Sequence, residues 1–339
     1  MQHQVLINTA RSLMAPGKGI LAADESTGTI KKRLDSIGVE STEQNRQAYR
    51  NLLFTTAGAE EFISGVILFQ ETLFQKADDG TPFPDLLTDK GIIPGIKVDM
   101  GAKPLAGSPE EKVTEGLDGL RERLSDYAAA GARFAKWRGV IDIAEDRPTD
   151  YCIHVNAHAL ARYAALCQEA GIVPIVEPEV LMDGANSIER CEQVTDAVLD
   201  AVFTELKRQN VLLEGMLLKP NMVISGKQCP QQAGVEEVAR ATLRCLNRRV
   251  PAAVPGIVFL SGGQSDELAT AHLDAMNRMG PQPWALSFSY GRALQAPALQ
   301  AWRGQADNVP AAQQAFLKRA RNNGAAARGE YNADMESAA

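Results

Sequence analysis

The run "LLEGMLLKPNMV" (212–223) sets Lys219 at the end of a leucine- and methionine-rich stretch, directly before Pro220. Burial disfavours a charged amine, so an ammonium there must be paired or give up its proton. A lysine held partly neutral at pH 7 is a nucleophile that attacks a ketone to form an imine. Once protonated, the imine withdraws electrons from the adjacent carbon–carbon bond. Such chemistry needs a carboxyl group to move protons as water leaves, a task that suits Glu177. Breaking the bond needs a base on the neighbouring hydroxyl, for which Asp24 is a candidate. Lowering a lysine pKa by about three units costs roughly 4 kcal/mol, within reach of burial plus a nearby cation such as Lys136. Spacing leaves open which of Lys97, Lys136 and Lys219 bonds the substrate; the apolar flank favours Lys219.

These groups can act together only if the fold gathers them. Short apolar segments with polar ends recur along the chain: "GILAADES" (19–26), "SGVILFQET" (64–72), "GIKVD" (95–99), "FAKWR" (134–138), "GIVPIVEPE" (171–179), "EGMLLKPN" (214–221), "GIVFLSGG" (256–263) and "WALSFSYG" (284–291). Helical patterns lie between most of them. "SPEEKVTEGLDGLRERLSDY" reads as a helix opened by a capping box at Ser108, Pro109 and Glu111, with Val113, Leu117, Leu120 and Leu124 on one face. "NAHALARYAALCQEAG" reads as a helix stopped by Gly171, and further helices are expected in 187–209 and 234–247. The second unit is the weakest, with turns and a short helix in 75–91. Eight strands alternating with helices predict a single-domain (β/α)8 TIM barrel spanning 1–339, with a flexible C-terminal tail from about 325. An open doubly wound sheet would prefer a glycine-rich fingerprint after its first strand, where this chain has "ADESTG".

In such a barrel the C-terminal strand ends form the active site. Those ends carry Asp24, Glu25 and Ser26; Lys97 and Asp99; Lys136 and Arg138; Glu177 and Glu179; Lys219; Ser261; and Arg292. Residues two apart on a strand share a face, so Lys97/Asp99, Lys136/Arg138 and Glu177/Glu179 are same-side pairs. The loops after the last two strands, "SGGQS" (261–265) and "SYGR" (289–292), bring Ser261, Gly262, Gly263, Ser289, Gly291 and Arg292 to the position where barrels of this kind hold phosphate. Ser26, Lys97 and Arg138 lie across the mouth and could hold a second phosphate, which points to a bisphosphorylated substrate.

Composition removes other classes of function. The net charge of −7 with scattered basic residues gives no footprint for nucleic acid. No run is long enough to span a bilayer, and the N-terminus lacks a signal core, so a cytoplasmic protein is expected. Five cysteines without CxxC spacing read as free thiols. His154 and His158 stand at i, i+4, but the chain has four histidines and no HExxH, so no metal or other cofactor is expected.

Taken together, "GILAADESTGTIKKRL", "GVILFQETLFQKADDG", "GIKVD", "FAKWRGV", "GIVPIVEPEVL", "LLKPNMV", "FLSGGQS" and "WALSFSYGRALQ" closely resemble class I fructose-bisphosphate aldolases, from about residue 5 to 331. The resemblance implies reversible cleavage of fructose 1,6-bisphosphate, in glycolysis and gluconeogenesis, by a homotetramer. It also implies Lys219 as the Schiff-base lysine, Glu177 as the acid/base for dehydration, Asp24 on the C4 hydroxyl and Lys136 in support. Ser261, Gly262, Gly291 and Arg292 would hold the C1 phosphate, and Ser26, Arg33, Lys97 and Arg138 would face the C6 phosphate. Thr29 stands where animal members carry serine and keeps the hydroxyl. The ending "GEYNADMESAA" has Tyr331 but no terminal tyrosine of the kind that helps protonate the enamine in animal and plant members, so that proton is expected from another group or water. The rival readings are another imine-forming barrel lyase and a non-catalytic sugar-phosphate binder.

Overall fold

Strands buried on both faces need near-continuous apolar sequence, and the segments above supply it. The computed structural model describes residues 2–337. Its strands are β1 (Gly19–Ala23), β2 (Ile63–Leu68), β3 (Ile93–Lys97), β4 (Ala102–Leu105), β5 (Ser108–Thr114), β6 (Phe134–Ile141), β7 (Val173–Val180), β8 (Leu217–Leu218), β9 (Gly256–Phe259) and β10 (Ala285–Tyr290). Eight of them close into a barrel in the order β1-β10-β9-β8-β7-β6-β3-β2, with β4 and β5 apart as a two-stranded sheet. Every barrel pairing is parallel. This is the (β/α)8 architecture expected from the alternating pattern.

The barrel interior is layered. Ile20, Ala22, Ile67, Phe134, Val173, Ile175, Leu217 and Val258 form a closed apolar cluster, sealed below by Leu6, Ala10, Leu13 and Met14 around the N-terminal helix Gln2–Leu13. Phe134 fills so much of the section that a Cβ on Gly95 would lie 2.3 Å from its ring. Outward residues such as Leu21, Trp137 and Val176 join the larger core beneath the helices. On β6, β7 and β8 strand alternation then carries the inward face from apolar to charged on approaching the C-terminal end. On β6 the order is Phe134, Lys136, Arg138; on β7 it is Val173, Ile175, Glu177, Glu179; β8 runs from Leu217 to Lys219. Pro220 has no N–H to extend β8, but Lys219 N still donates to Val176 O at 2.8 Å, which pins its backbone beside Glu177.

The expected helix opening at Ser108 is corrected. Residues 108–114 form β5, antiparallel to β4, and the helix occupies Leu120–Ala129. The Ser108 hydroxyl does donate to Glu111 at 2.8 Å, as a capping box would suggest. However, the Glu111 carboxylate accepts from Thr149 N at 2.7 Å and Thr149 Oγ1 at 2.6 Å, at the N-cap of the next helix. Gly116 and Gly119, at φ +125° and +64°, interrupt the chain before Leu120. Leu120 and Leu124 are buried as expected, whereas Val113 belongs to the hairpin.

Other helices follow the sequence reading: Asp150–Glu169 with Gly171 at φ +73°, Ile188–Arg208, and Val235–Arg249. The second unit holds the short helices Gln70–Leu73 and Phe83–Asp89. The last long helix is Val309–Ala326; beyond it Tyr331 N donates to Asp274, and Glu336 pairs with buried Arg319 at 2.5 Å. Residues 338–339 of the expected tail lie outside the described residues.

Candidate active site

The C-terminal strand ends enclose a cavity of about 550 Å³. Asp24, Ser26, Arg33, Lys97, Lys136, Arg138, Glu177, Lys219, Ser261, Gly262, Ser289, Gly291 and Arg292 all line it. They come from the ends of seven barrel strands, β1, β3 and β6 to β10, or from the segments that follow them, so barrel closure brings together residues up to 268 positions apart, from Asp24 to Arg292.

At its floor one carboxylate serves two amines. Glu177 Oε1 lies 3.2 Å from Lys219 Nζ, and Glu177 Oε2 lies 3.3 Å from Lys136 Nζ. Lys136 also meets Asp24 Oδ2 at 2.7 Å. The side chains of Lys219 and Glu177 are each 4% exposed, so these contacts form where water is scarce. Burial by itself would raise the Asp24 pKa, but Lys136, then Lys219, outweigh it and hold the carboxyl down at about 2. Burial likewise pulls Lys136 down, and Asp24, Glu177 and Asp99 more than reverse it, leaving its pKa above the usual lysine range. Lys136 is thus a fixed ammonium and Asp24 a fixed carboxylate at neutral pH.

The rim is cationic. Lys97 is held by the Asp99 carboxylate at 2.6 Å and the Asp99 carbonyl at 2.7 Å, and Arg138 pairs with Glu179. The Arg292 pKa is lowered by burial and then by the like charge of Arg33. Guanidiniums crowded against their own repulsion are poised for an anion. Gly262 and Gly263 adopt φ +59° and +83°, and Ser265 Oγ accepts from Leu268 N at 3.2 Å to cap helix Asp266–Arg278. Ser289 Oγ is buried without a hydrogen-bond partner among the described residues. Gly263 is set apart from its neighbours: it lines an adjoining cavity of about 240 Å³ that shares Arg33 and Arg292 with the main one.

Several supporting residues escape a reading of strand ends. Glu25 is held by Arg50 at 2.7 Å and by Gln295 Nε2 at 2.9 Å, and Gln295 also donates to Ala22 O, tying β1 to helix Arg292–Trp302. Asn221 Oδ1 accepts from Val180 N at 3.0 Å behind Lys219. Lys227 pairs with Asp183 at 2.7 Å, and its amine would lie 2.9 Å from a Cβ on Gly263. No spacing rule links these partners, which meet through tertiary packing. His158 Nδ1 faces Glu205 at 3.1 Å, and its ring stacks on His154. Among the described residues no group of three or more His, Cys, Asp or Glu could hold a metal, and no helix is long and apolar enough to cross a membrane.

Comparison with known proteins identifies the family. The sequence profile of "Fructose-bisphosphate aldolase class-I" matches residues 5–339. The chain is 59% identical over 332 residues to a probable fructose-bisphosphate aldolase class 1 of Xanthomonas campestris pv. campestris, covering 98% of this chain and 99% of that protein. It is 56% identical to human fructose-bisphosphate aldolase C, covering 99% of this chain and 93% of that one. The fructose-bisphosphate aldolase of Plasmodium falciparum, solved in complex with TRAP and a small molecule inhibitor, superposes with a TM-score of 0.96 at 54% identity, covering 98% and 96% of the two chains. The chain belongs to the class-I fructose-bisphosphate aldolase family.

Proposed function

We propose that this barrel cleaves fructose 1,6-bisphosphate reversibly into dihydroxyacetone phosphate and glyceraldehyde 3-phosphate through an imine on Lys219. The observation that carries the reading is Glu177 shared between Lys219 and Lys136. Lys136 is clamped between two carboxylates and Lys97 is held by Asp99, whereas Lys219 meets one carboxylate oxygen at 3.2 Å. Lys219 is therefore the amine most free to attack.

Lys219 adds to the C2 ketone, and Glu177 moves the protons that turn the carbinolamine hydroxyl into departing water. The resulting iminium draws electrons from the C3–C4 bond. As that bond breaks, Asp24 takes the C4 hydroxyl proton, the C4 fragment leaves as an aldehyde, and an enamine stays on Lys219. A carboxylate held near 2 is a weak base, so the driving force lies in the iminium more than in Asp24. The enamine takes a proton at C3 from water or a neighbouring acid, and hydrolysis releases dihydroxyacetone phosphate. With the iminium as electron sink, no step requires a metal. Ser261, Gly262, Ser289, Gly291 and Arg292 hold the C1 phosphate, with Gly263 completing the same loop; Ser26, Arg33, Lys97 and Arg138 face the C6 phosphate. Family membership supports a homotetramer, and the free thiols Cys152, Cys167, Cys191, Cys229 and Cys245 suit the reducing cytoplasm.

The test is a coupled cleavage assay on the purified protein with fructose 1,6-bisphosphate and a chelator present. Equal yields of the two triose phosphates are expected. Activity abolished by the chelator, or no turnover, would overturn the reading.

A further inference from the structure

The loop Ser261–Gln264 contains two successive left-handed glycines, a shape that backbone preferences alone hold weakly. Gln264 closes it twice: its backbone N and its side-chain Nε2 each donate to Ser261 O at 3.0 Å. The side chain itself needs an anchor, and helix Asp266–Arg278 provides one. His272, 2% exposed, brings Nδ1 within 2.6 Å of Gln264 Oε1. The polarity of this chain of contacts is fixed. A backbone carbonyl only accepts, so the Gln264 amide nitrogen faces Ser261 and its oxygen faces the imidazole. That oxygen also only accepts, so His272 Nδ1 carries the hydrogen. Nε2 is buried without a hydrogen-bond partner among the described residues. Burial lowers the ring's pKa to about 4, which keeps it neutral at physiological pH.

We propose that His272 is a positioning residue for the phosphate site: through Gln264 it holds the Ser261–Gly263 backbone in the shape that receives the substrate's phosphate. This rests on the assignment of that loop to the C1 phosphate. His272 touches no substrate, and its effect is to preorganise groups that do. Without the imidazole N–H, Gln264 Oε1 is left buried and unpaired, and the side chain must leave Ser261 or accept that penalty.

The test compares His272→Leu, His272→Asn and Ser261→Ala by steady-state kinetics, inhibition by inorganic phosphate, and thermal melting. Asparagine carries its amide nitrogen on Cγ, as histidine carries Nδ1, and so can donate from the same place; leucine cannot. We expect His272→Leu to raise KM and the phosphate inhibition constant about tenfold, the worth of one hydrogen bond, with kcat within about twofold. His272→Asn should restore most of that loss. If folded His272→Leu keeps its KM while Ser261→Ala raises it, or if asparagine fails to rescue, the positioning role is wrong. If Ser261→Ala itself leaves KM unchanged, the phosphate assignment falls instead. Should the leucine variant fail to fold, Gln264→Met removes the same contact from the loop side, and an unchanged KM there likewise overturns the proposal.

Discussion

Replacing Lys136 by methionine keeps an unbranched apolar stem one atom shorter and removes the charge that two carboxylates share. Lys136 Nζ lies 2.7 Å from Asp24 and 3.3 Å from Glu177, on a side chain 5% exposed. In the native protein Asp24 sits at about 2 against an ordinary 3.8. Its lowered pKa contributes stability that is complete above 3.8 and lost as pH falls through 2. At about 1.4 kcal/mol per unit this contribution is on the order of 2 to 3 kcal/mol, and Lys136 is the largest favourable cause. In Lys136→Met the largest favourable charge is gone and only Lys219 and Lys97 still oppose burial, so the Asp24 pKa rises. The variant should lose about 2 to 3 kcal/mol at pH 7, and the loss should shrink as pH approaches 3. Turnover should fall by at least about a hundredfold, because Asp24 loses the ammonium that fixes its charge and Glu177 loses its contact with Lys136. Urea denaturation at pH 7 and pH 3, together with kcat against pH, measures both effects. Native turnover with an unchanged stability profile would refute the assigned role of this ammonium.

Further outcomes are expected. Ser289→Ala removes a buried hydroxyl with no hydrogen-bond partner among the described residues, so melting should hardly change while KM for the bisphosphate rises about three- to tenfold. A lower melting temperature with unchanged KM would assign Ser289 to packing. His272 titrates near 4 when folded against 6.5 when free. Its contribution is complete above pH 6.5 and disappears as pH falls through 4, amounting to roughly 3 kcal/mol; His272→Asn should flatten that part of the curve in pH-dependent urea unfolding. Glu111→Ala removes the acceptor for Thr149 N and Oγ1 and should cost about 2 kcal/mol in urea unfolding, with kcat and KM little changed, since Glu111 joins the hairpin to helix Asp150–Glu169 and does not line the cavity.

The barrel and its floor were legible for a physical reason. Strands covered on both faces must be apolar until they reach the mouth, so Asp24, Lys136, Glu177 and Lys219 stood out as the points where that rule breaks. Local pattern misled at 108–114, where a Ser–x–x–Glu contact does form but a turn to Thr149 and two left-handed glycines favour a hairpin. Pairings across the fold carried no local signal. Arg50 and Gln295 meet at Glu25 from distant helices, and Lys227 reaches Gly263 only once the loops after β8 and β9 are packed. The apolar flank already favoured Lys219 among the three lysines, but how many carboxylates each amine meets shows only in three dimensions.

The most direct measurement reduces the protein with borohydride in the presence of fructose 1,6-bisphosphate and maps the modified peptide by mass spectrometry. The account predicts a triose phosphate adduct on Lys219 and none in Lys219→Arg. An adduct on Lys136 or Lys97, or cleavage that persists in Lys219→Arg, would contradict it.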